Sequence, residues 1–296
     1  MSLTDSHVVA VLGAGTMGHG IAQVAAAAGF PTRLFDVSEA AAQAGLAKVR
    51  GSVDKLVEKK KMPAEIRDGI LSHLSATGEL RAAVEGATMV IEAAPEKMDL
   101  KVELFSKVKD VVAASTIFGS NTSSLSITEL GNRIGAADRT IGMHFFNPPP
   151  VMELLELVRG VSTSEKTIER VLAFTKRIGK TPIVVRDFPG FATSRLGVCI
   201  GAEAIRMLEQ GVASVADIDR AMEMGYRHPM GPLKLSDLVG LDVRLAILEH
   251  LHRELGEQFR PPALMRQMVR AGRLGKKSGL GFYRWTDAGP EPVDPR

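Results

Sequence analysis

The chain has 296 residues, 45% of them hydrophobic and 24% charged, and a formal net charge of +3. That length accommodates two domains that each bury a core, and the near balance of basic and acidic residues on either side of Asp187 excludes the clustered positive field that nucleic-acid binding requires. The single cysteine, Cys199, excludes an intramolecular disulfide and a cysteine-based metal centre.

The opening residues, MSLTDSHVV, have neither the basic nor the apolar region of a secretion signal. No apolar span approaches the roughly 20 residues of a membrane helix. The expectation is a cytoplasmic protein with no metal, no nucleic-acid partner and no membrane partner.

In chain order, His7–Leu12 (HVVAVL) is a short apolar run, the pattern of a strand buried on both faces. It leads into Gly13-Ala14-Gly15-Thr16-Met17-Gly18 and then into the alanine-rich Ile21–Ala28, a strong helix former. Strand, GxGxxG and helix in that order make the dinucleotide fingerprint. The first glycine permits a tight turn, the second lets the backbone approach a pyrophosphate, and the third allows close helix–strand packing. Amides at the helix N-terminus then face the phosphates. Gly13, Gly15, Thr16, Met17 and Gly18 are therefore cofactor-binding candidates. Pro31–Phe35 reads as a second strand that ends at Asp36. An acid there accepts hydrogen bonds from the adenosine ribose and repels a 2′-phosphate, so NAD is expected rather than NADP.

Ser38–Lys61 and Glu65–Leu71 read as helices, Met89–Ala93 as a buried strand, Leu100–Ala113 as a helix and Ile117–Ser120 as the next strand. This alternation predicts a Rossmann-type, doubly wound parallel sheet whose ligands bind at the carboxyl ends of the strands. Glu92–Lys97, Ser120–Ser124 and His144–Asn147 all fall at such ends. The apolar flanks Thr140–Phe146 and Met152–Val158 enclose Asn147–Pro150, whose prolines exclude a helix and remove backbone donors. Folding the flanks back about Pro150 sets His144 opposite Glu156. A carboxylate that holds an imidazole orients it as a general base. The bland alternative is a satisfied, half-buried histidine beside a solvated edge glutamate; the convergence of three segments on strand ends favours the functional one.

Ser164–Gly179 is a further helix and Pro182–Val185 a last strand, after which Asp187-Phe188-Pro189-Gly190 punctuates the chain. The expected division is a nucleotide-binding domain over 1–187 and an all-α C-terminal domain over 188–296. Helices are expected at Phe191–Leu208, at Asp217–Met224 with Ser214 as N-cap, at Leu238–Leu255 and at Ala263–Ala271, then an ordered tail loop over Gly272–Tyr283.

Taken together, VLGAGTMGHGIA, EKMDLKVELF, SNTSSL, HFFNPPPVMELLELV, KTPIVVRDFPGF, YRHPMGPLKLSDLVGLD and GKKSGLGFY carry a family likeness over nearly the whole chain. The chain resembles the L-3-hydroxyacyl-CoA dehydrogenases, NAD-dependent enzymes of fatty-acid β-oxidation and of short-chain 3-hydroxybutyryl-CoA metabolism. The resemblance implies that His144 is the base that takes the proton of the substrate 3-hydroxyl, with Glu156 as its partner. It implies that Ser123 hydrogen-bonds the 3-oxygen and that Glu96 and Lys101 lie on the nicotinamide-ribose side of the cofactor. Asn121 joins the cofactor-binding candidates, and Asn147 the substrate-binding ones. Ser52 and Lys59 match contacts to coenzyme A, and the C-terminal domain is expected to make a homodimer. One departure stands out: where the family commonly reads GFxxNRL, this chain reads Gly190-Phe191-Ala192-Thr193-Ser194-Arg195-Leu196. Ser194 is shorter than asparagine and offers a hydroxyl in place of an amide near the acyl group.

The chemistry fits the residues as well. Oxidising a secondary alcohol needs a proton acceptor at the hydroxyl and a hydride acceptor opposite it, and imidazole suits the first role near neutral pH. Two rivals remain in view. One is a dehydrogenase of the same architecture acting on a free hydroxy or sugar acid, which the Ser194 departure keeps open; the other is a non-catalytic NAD-binding structural protein, against which Ser123, His144 and Glu156 argue.

Overall fold

In the computed structural model, which describes residues 7–295, four of the five residues of the central strand β1 (Val8–Leu12) are buried. Val9 and Val11 face one apolar core, Ala10 and Leu12 another, as the period-two geometry of a covered strand requires. The first core draws on α1 (Gly18–Ala27), α2 (Glu39–Glu58), α3 (Ala64–Ser72) and α7 (Glu165–Arg177) through Ile21, Val49, Ile70 and Ile168. The second draws on α4 (Leu80–Val84), α5 (Met98–Lys109) and α6 (Ile127–Arg133) through Ala83, Phe105 and Leu130. Serine N-caps start three of these helices: Ser38, Ser126 and Ser164 accept the amides of Ala41, Glu129 and Thr167.

The remaining strands are β2 (Thr32–Phe35), β3 (Leu74–Thr77), β4 (Ala87–Glu92), β5 (Ile117–Ser120), β6 (Thr140–Phe145), β7 (Leu154–Arg159) and β8 (Thr181–Arg186). Together with β1 they form one eight-stranded sheet in the order β3-β2-β1-β4-β5-β6-β7-β8. Neighbours are parallel except for β6 and β7, which pair antiparallel. The strand order reverses between β1 and β4, the place where such sheets open a crevice for a ligand. Sequence reading passes over β3, α4 and α6. The first is a half-exposed edge strand, and the helices have five and seven residues, too few for a periodic signal.

The described residues divide into two compact units, one ending at Phe188 and the other beginning at Pro189. The second contains α8 (Thr193–Glu209), α9 (Val215–Arg220), α10 (Pro232–Val239), α11 (Leu241–Leu255) and α12 (Ala263–Arg270) around Ile205, Leu233, Leu248 and Met265. The stretch expected as one helix over Leu238–Leu255 is broken at Gly240, whose φ of +105° no helix accommodates. Ahead of the break, α10 starts with Pro232 in its first turn, and the Asp219 carboxylate accepts the amides of Leu233 and Lys234 at 2.8 and 2.9 Å. The unit is helical as expected, with one addition. The tail loop expected over Gly272–Tyr283 leads into a hairpin of β9 (Tyr283–Thr286) and β10 (Gly289–Pro292). Buried Asp237 fastens it by accepting the amides of Phe282 and Tyr283 and the indole N–H of Trp285. Among the described residues, no helix is long and apolar enough to cross a membrane.

Candidate active site

The glycine loop lies where the strand order reverses. Gly13 follows β1 with φ +103°, and a Cβ there would sit 2.7 Å from the Ala93 carbonyl oxygen just past β4. A Cβ on Gly18 would overlap the Gly13 carbonyl, so α1 can close on the loop only through a glycine. A Cβ on Gly15, by contrast, meets no protein atom within 4 Å, which leaves the backbone open to a pyrophosphate. Thr16 is exposed and Met17 half-buried beside it. At the end of β2, Asp36 accepts the Ala14 amide at 2.8 Å and the Val37 amide at 2.7 Å. The acid expected to read the ribose therefore also fixes the phosphate loop. A turn shaped by Gly13 and Gly18, an open Gly15 and an acid at the end of β2 fit an NAD molecule.

Across the sheet, β6 and β7 alternate. Met143, Phe145, Leu155 and Leu157 enter the first core, so His144 and Glu156 point to the other face. They pair directly in the antiparallel register, with His144 Nδ1 2.9 Å from Glu156 Oε2. The glutamate is 0% exposed and the histidine 8%. A carboxylate only accepts, so Nδ1 carries the proton and donates, leaving Nε2 as the acceptor. The His144 ring also packs against Phe146 at 4.6 Å between centroids. The β5–β6 ladder ends at Ser120 and Gly142, and Asn121 extends it by accepting the Phe145 amide on its side-chain oxygen at 2.9 Å. That oxygen is bonded to the chain beside His144.

Between these two centres lies a buried polar chain. Lys101, on α5, is 1% exposed and donates to Glu92 Oε1 at 2.6 Å, with Glu96 Oε2 at 3.2 Å. Glu92, at the end of β4, also accepts the Ser120 hydroxyl at 2.6 Å and the Ala94 amide at 2.6 Å. Burial pushes the Glu92 carboxyl above the usual range, against the pull of Lys101 and Ser120. Glu96 Oε1 accepts the Thr122 hydroxyl at 2.6 Å and the Ser123 amide at 2.9 Å, with the Ser123 hydroxyl at 3.4 Å. Burial raises the Glu96 carboxyl too, but the Lys101 charge and the donors from Thr122 and Ser123 outweigh it and leave it below the usual range. Lys101 thus meets the site through Glu96.

Asn147 is exposed in the β6–β7 turn, at a cis peptide to Pro148. Ser52 and Lys59 stand seven residues apart along α2 and its C-cap, two turns on one face. Ser194 lies in the first turn of α8, in the second unit, half-buried. Sequence reading places Glu92, Ser120 and Thr122 in segments at the strand ends without giving them a role of their own, and does not single out Lys180. The one available signal is a carboxylate closing an otherwise apolar strand, in Met89–Glu92.

The family model for the 3-hydroxyacyl-CoA dehydrogenase NAD binding domain matches residues 8–188, and that for the 3-hydroxyacyl-CoA dehydrogenase C-terminal domain matches residues 190–285. A probable 3-hydroxybutyryl-CoA dehydrogenase of Bacillus subtilis is 45% identical over 280 residues, 94% of this chain and 97% of its own. The mitochondrial hydroxyacyl-coenzyme A dehydrogenase of Sus scrofa is 41% identical, covering 94% of this chain and 90% of its own. The crystal structure of an (S)-3-hydroxybutyryl-CoA dehydrogenase from Ralstonia eutropha superposes with a TM-score of 0.91 at 43% identity, over 95% of this chain and 99% of that one.

Proposed function

The chain belongs to the 3-hydroxyacyl-CoA dehydrogenase family, a family of NAD-dependent oxidoreductases, and we propose that it interconverts an L-3-hydroxyacyl-CoA and the 3-ketoacyl-CoA with His144 as general base. The observation that carries this reading is the buried His144–Glu156 pair at the carboxyl end of β6. Glu156 holds Nδ1–H, so Nε2 takes the proton of the 3-hydroxyl, and the same carboxylate stabilises the imidazolium that results. Ser123, on the loop that Glu96 anchors, donates its hydroxyl to the 3-oxygen and steadies charge developing there. In the reverse direction the imidazolium returns the proton to that oxygen. NAD, when bound, supplies the hydride acceptor. Gly13–Gly18 and Asp36 would hold it at the phosphates and the adenosine ribose, and Glu96, backed by Lys101, at the nicotinamide ribose, with Asn121 nearby.

Ser52 and Lys59 on one face of α2 suit the coenzyme A moiety, the lysine by its charge, and Asn147 and Ser194 the acyl end. The domain division at 187/188 gives the C-terminal domain the tasks of substrate contact and homodimer formation. Leu196 at 64% and Val243 at 43% exposure support an apolar interface there. The protein acts in the cytoplasm. The test is NADH consumption with acetoacetyl-CoA beside free acetoacetate and a longer 3-ketoacyl-CoA. Consumption that requires the thioester is expected; consumption with the free acid alone would reassign the substrate class.

A further inference from the structure

Three consecutive prolines, Pro148 to Pro150, bring no backbone N–H to the turn between β6 and β7. Carbonyl oxygens in that turn need donors from elsewhere once they are buried. The Pro148 carbonyl takes the amides of Val151 and Met152 at 3.0 and 3.1 Å. Those of Pro149 and Met152 take the ammonium of Lys180, each at 2.7 Å. The Glu153 carbonyl takes the Thr181 amide at 2.8 Å. Lys180, just ahead of β8, and Thr181, its first residue, therefore secure three carbonyls of the turn. Lys180 is 9% exposed; burial pushes its ammonium below the usual lysine range, and Glu153 opposes this.

On its other side the turn rests on the cofactor helix. Pro149 packs against Gly20 of α1, where a Cβ would sit 2.8 Å from Pro149 Cδ. Pro149 is thus held between the helix that follows the fingerprint and the ammonium of Lys180. From the clamped point the chain runs straight into β7, where Leu154 pairs with Thr181 and, two residues on, Glu156 pairs with both His144 and Ile183.

We propose that Lys180 is a positioning residue for the general base: by fixing Pro149 and Met152 it sets where Glu156 meets His144 and where both stand relative to α1. The proposal rests on the reading of His144 as the base. Lysine suits the task because one ammonium offers three donors at the end of a long stem, and two of them converge on carbonyls that prolines leave unanswered. Methionine fills similar space with no donor, so the turn would relax. A displacement near 1 Å in a catalytic constellation costs on the order of 10²-fold in rate.

The experiment compares Lys180→Met and Lys180→Arg with the wild type, with His144→Ala alongside, in the oxidation of 3-hydroxybutyryl-CoA. In Lys180→Met, kcat is expected to fall by about 10- to 100-fold, while the NADH dissociation constant stays within about twofold because Gly13–Gly18 and Asp36 are untouched. Arginine, which keeps several donors, should restore most of the rate. Wild-type kcat in a folded Lys180→Met would overturn the proposal. Should that variant fail to fold, Lys180→Gln replaces it. A graded loss from lysine through arginine to glutamine supports the role, and unaltered kinetics in both contradict it. Full turnover in His144→Ala would instead remove the functional reading itself, whereas an inactive His144→Ala beside a normal Lys180→Met removes only the positioning role.

Discussion

His144 and Glu156 face each other across the antiparallel β6–β7 pair, Nδ1 to Oε2 at 2.9 Å, with the glutamate wholly buried. The pairing matters because a buried carboxylate fixes the ring's orientation and its tautomer together. Glu156→Gln tests the charge apart from the shape. The glutamine carbonyl can still accept from Nδ1, but no anion remains to support the imidazolium. We expect kcat to drop by about 10²-fold with NADH affinity unchanged; a kcat equal to wild type would show that the charge has no part.

The Asp36 carboxylate accepts the Ala14 amide of the phosphate loop, and the function proposed above gives it the adenosine ribose as a second task. Asp36→Ala should weaken NAD binding by about 10-fold or more, the usual worth of a hydrogen bond to a charged group. The NADP-to-NAD ratio of kcat/KM should rise. An unchanged ratio would count against Asp36 as the ribose reader.

The Lys101–Glu92 pair is fully buried. Lys101→Met leaves Glu92 in the interior without its counter-charge, and a cost of about 3–5 kcal/mol is expected. The double variant Glu92→Met/Lys101→Met should recover part of that loss, because Glu92 is no longer stranded while Glu96 still lacks the Lys101 charge. Urea unfolding followed by circular dichroism would show it. A single variant as stable as the wild type would mean that solvent reaches the pair.

Glu96 gives a pH dependence of definite sign. Its carboxyl lies below the usual range in the folded chain because the Lys101 charge and its hydrogen bonds outweigh burial. Its contribution to stability is therefore complete above the unfolded value near 4.5 and is lost as pH falls through the folded value. Amide exchange at Ser123 and Ser124, whose N–H groups Glu96 accepts, should accelerate relative to distant amides as pH drops through that interval. Exchange that keeps step with the rest of the sheet would contradict the anchoring role.

Ser194 stands where the family resemblance leads one to expect asparagine. Ser194→Asn adds an amide at the expected acyl position and should lower KM for a 3-ketoacyl-CoA by about 2- to 10-fold, the range of one neutral hydrogen bond, with NADH binding unaffected. An unchanged KM would release Ser194 from any part in substrate contact.

What was legible in the sequence follows from range. β1 and the glycine loop are contiguous, and their pattern is local. The His144–Glu156 contact is legible because a proline-bound turn and a period of two fix which residues meet, although twelve positions separate them. The buried support is not legible. Ser120 reaches Glu92 across 28 positions and Lys180 reaches Pro149 across 31; the strand-end position marks Glu92 and Ser120 but not that they meet, and nothing local distinguishes Lys180 from a solvated lysine. In the helical unit the break at Gly240 is a matter of its positive φ, which a helical pattern does not encode, and the start of α10 rests on Asp219, a side-chain cap 14 residues away.

The most direct measurement is the rate of NADH consumption with acetoacetyl-CoA in the wild type and in His144→Ala, at matched NADH occupancy. We expect thioester-dependent turnover in the wild type and a rate about 10²- to 10⁴-fold lower in the variant. Near-normal turnover in His144→Ala, with NADH shown to be bound, would contradict the account of this site.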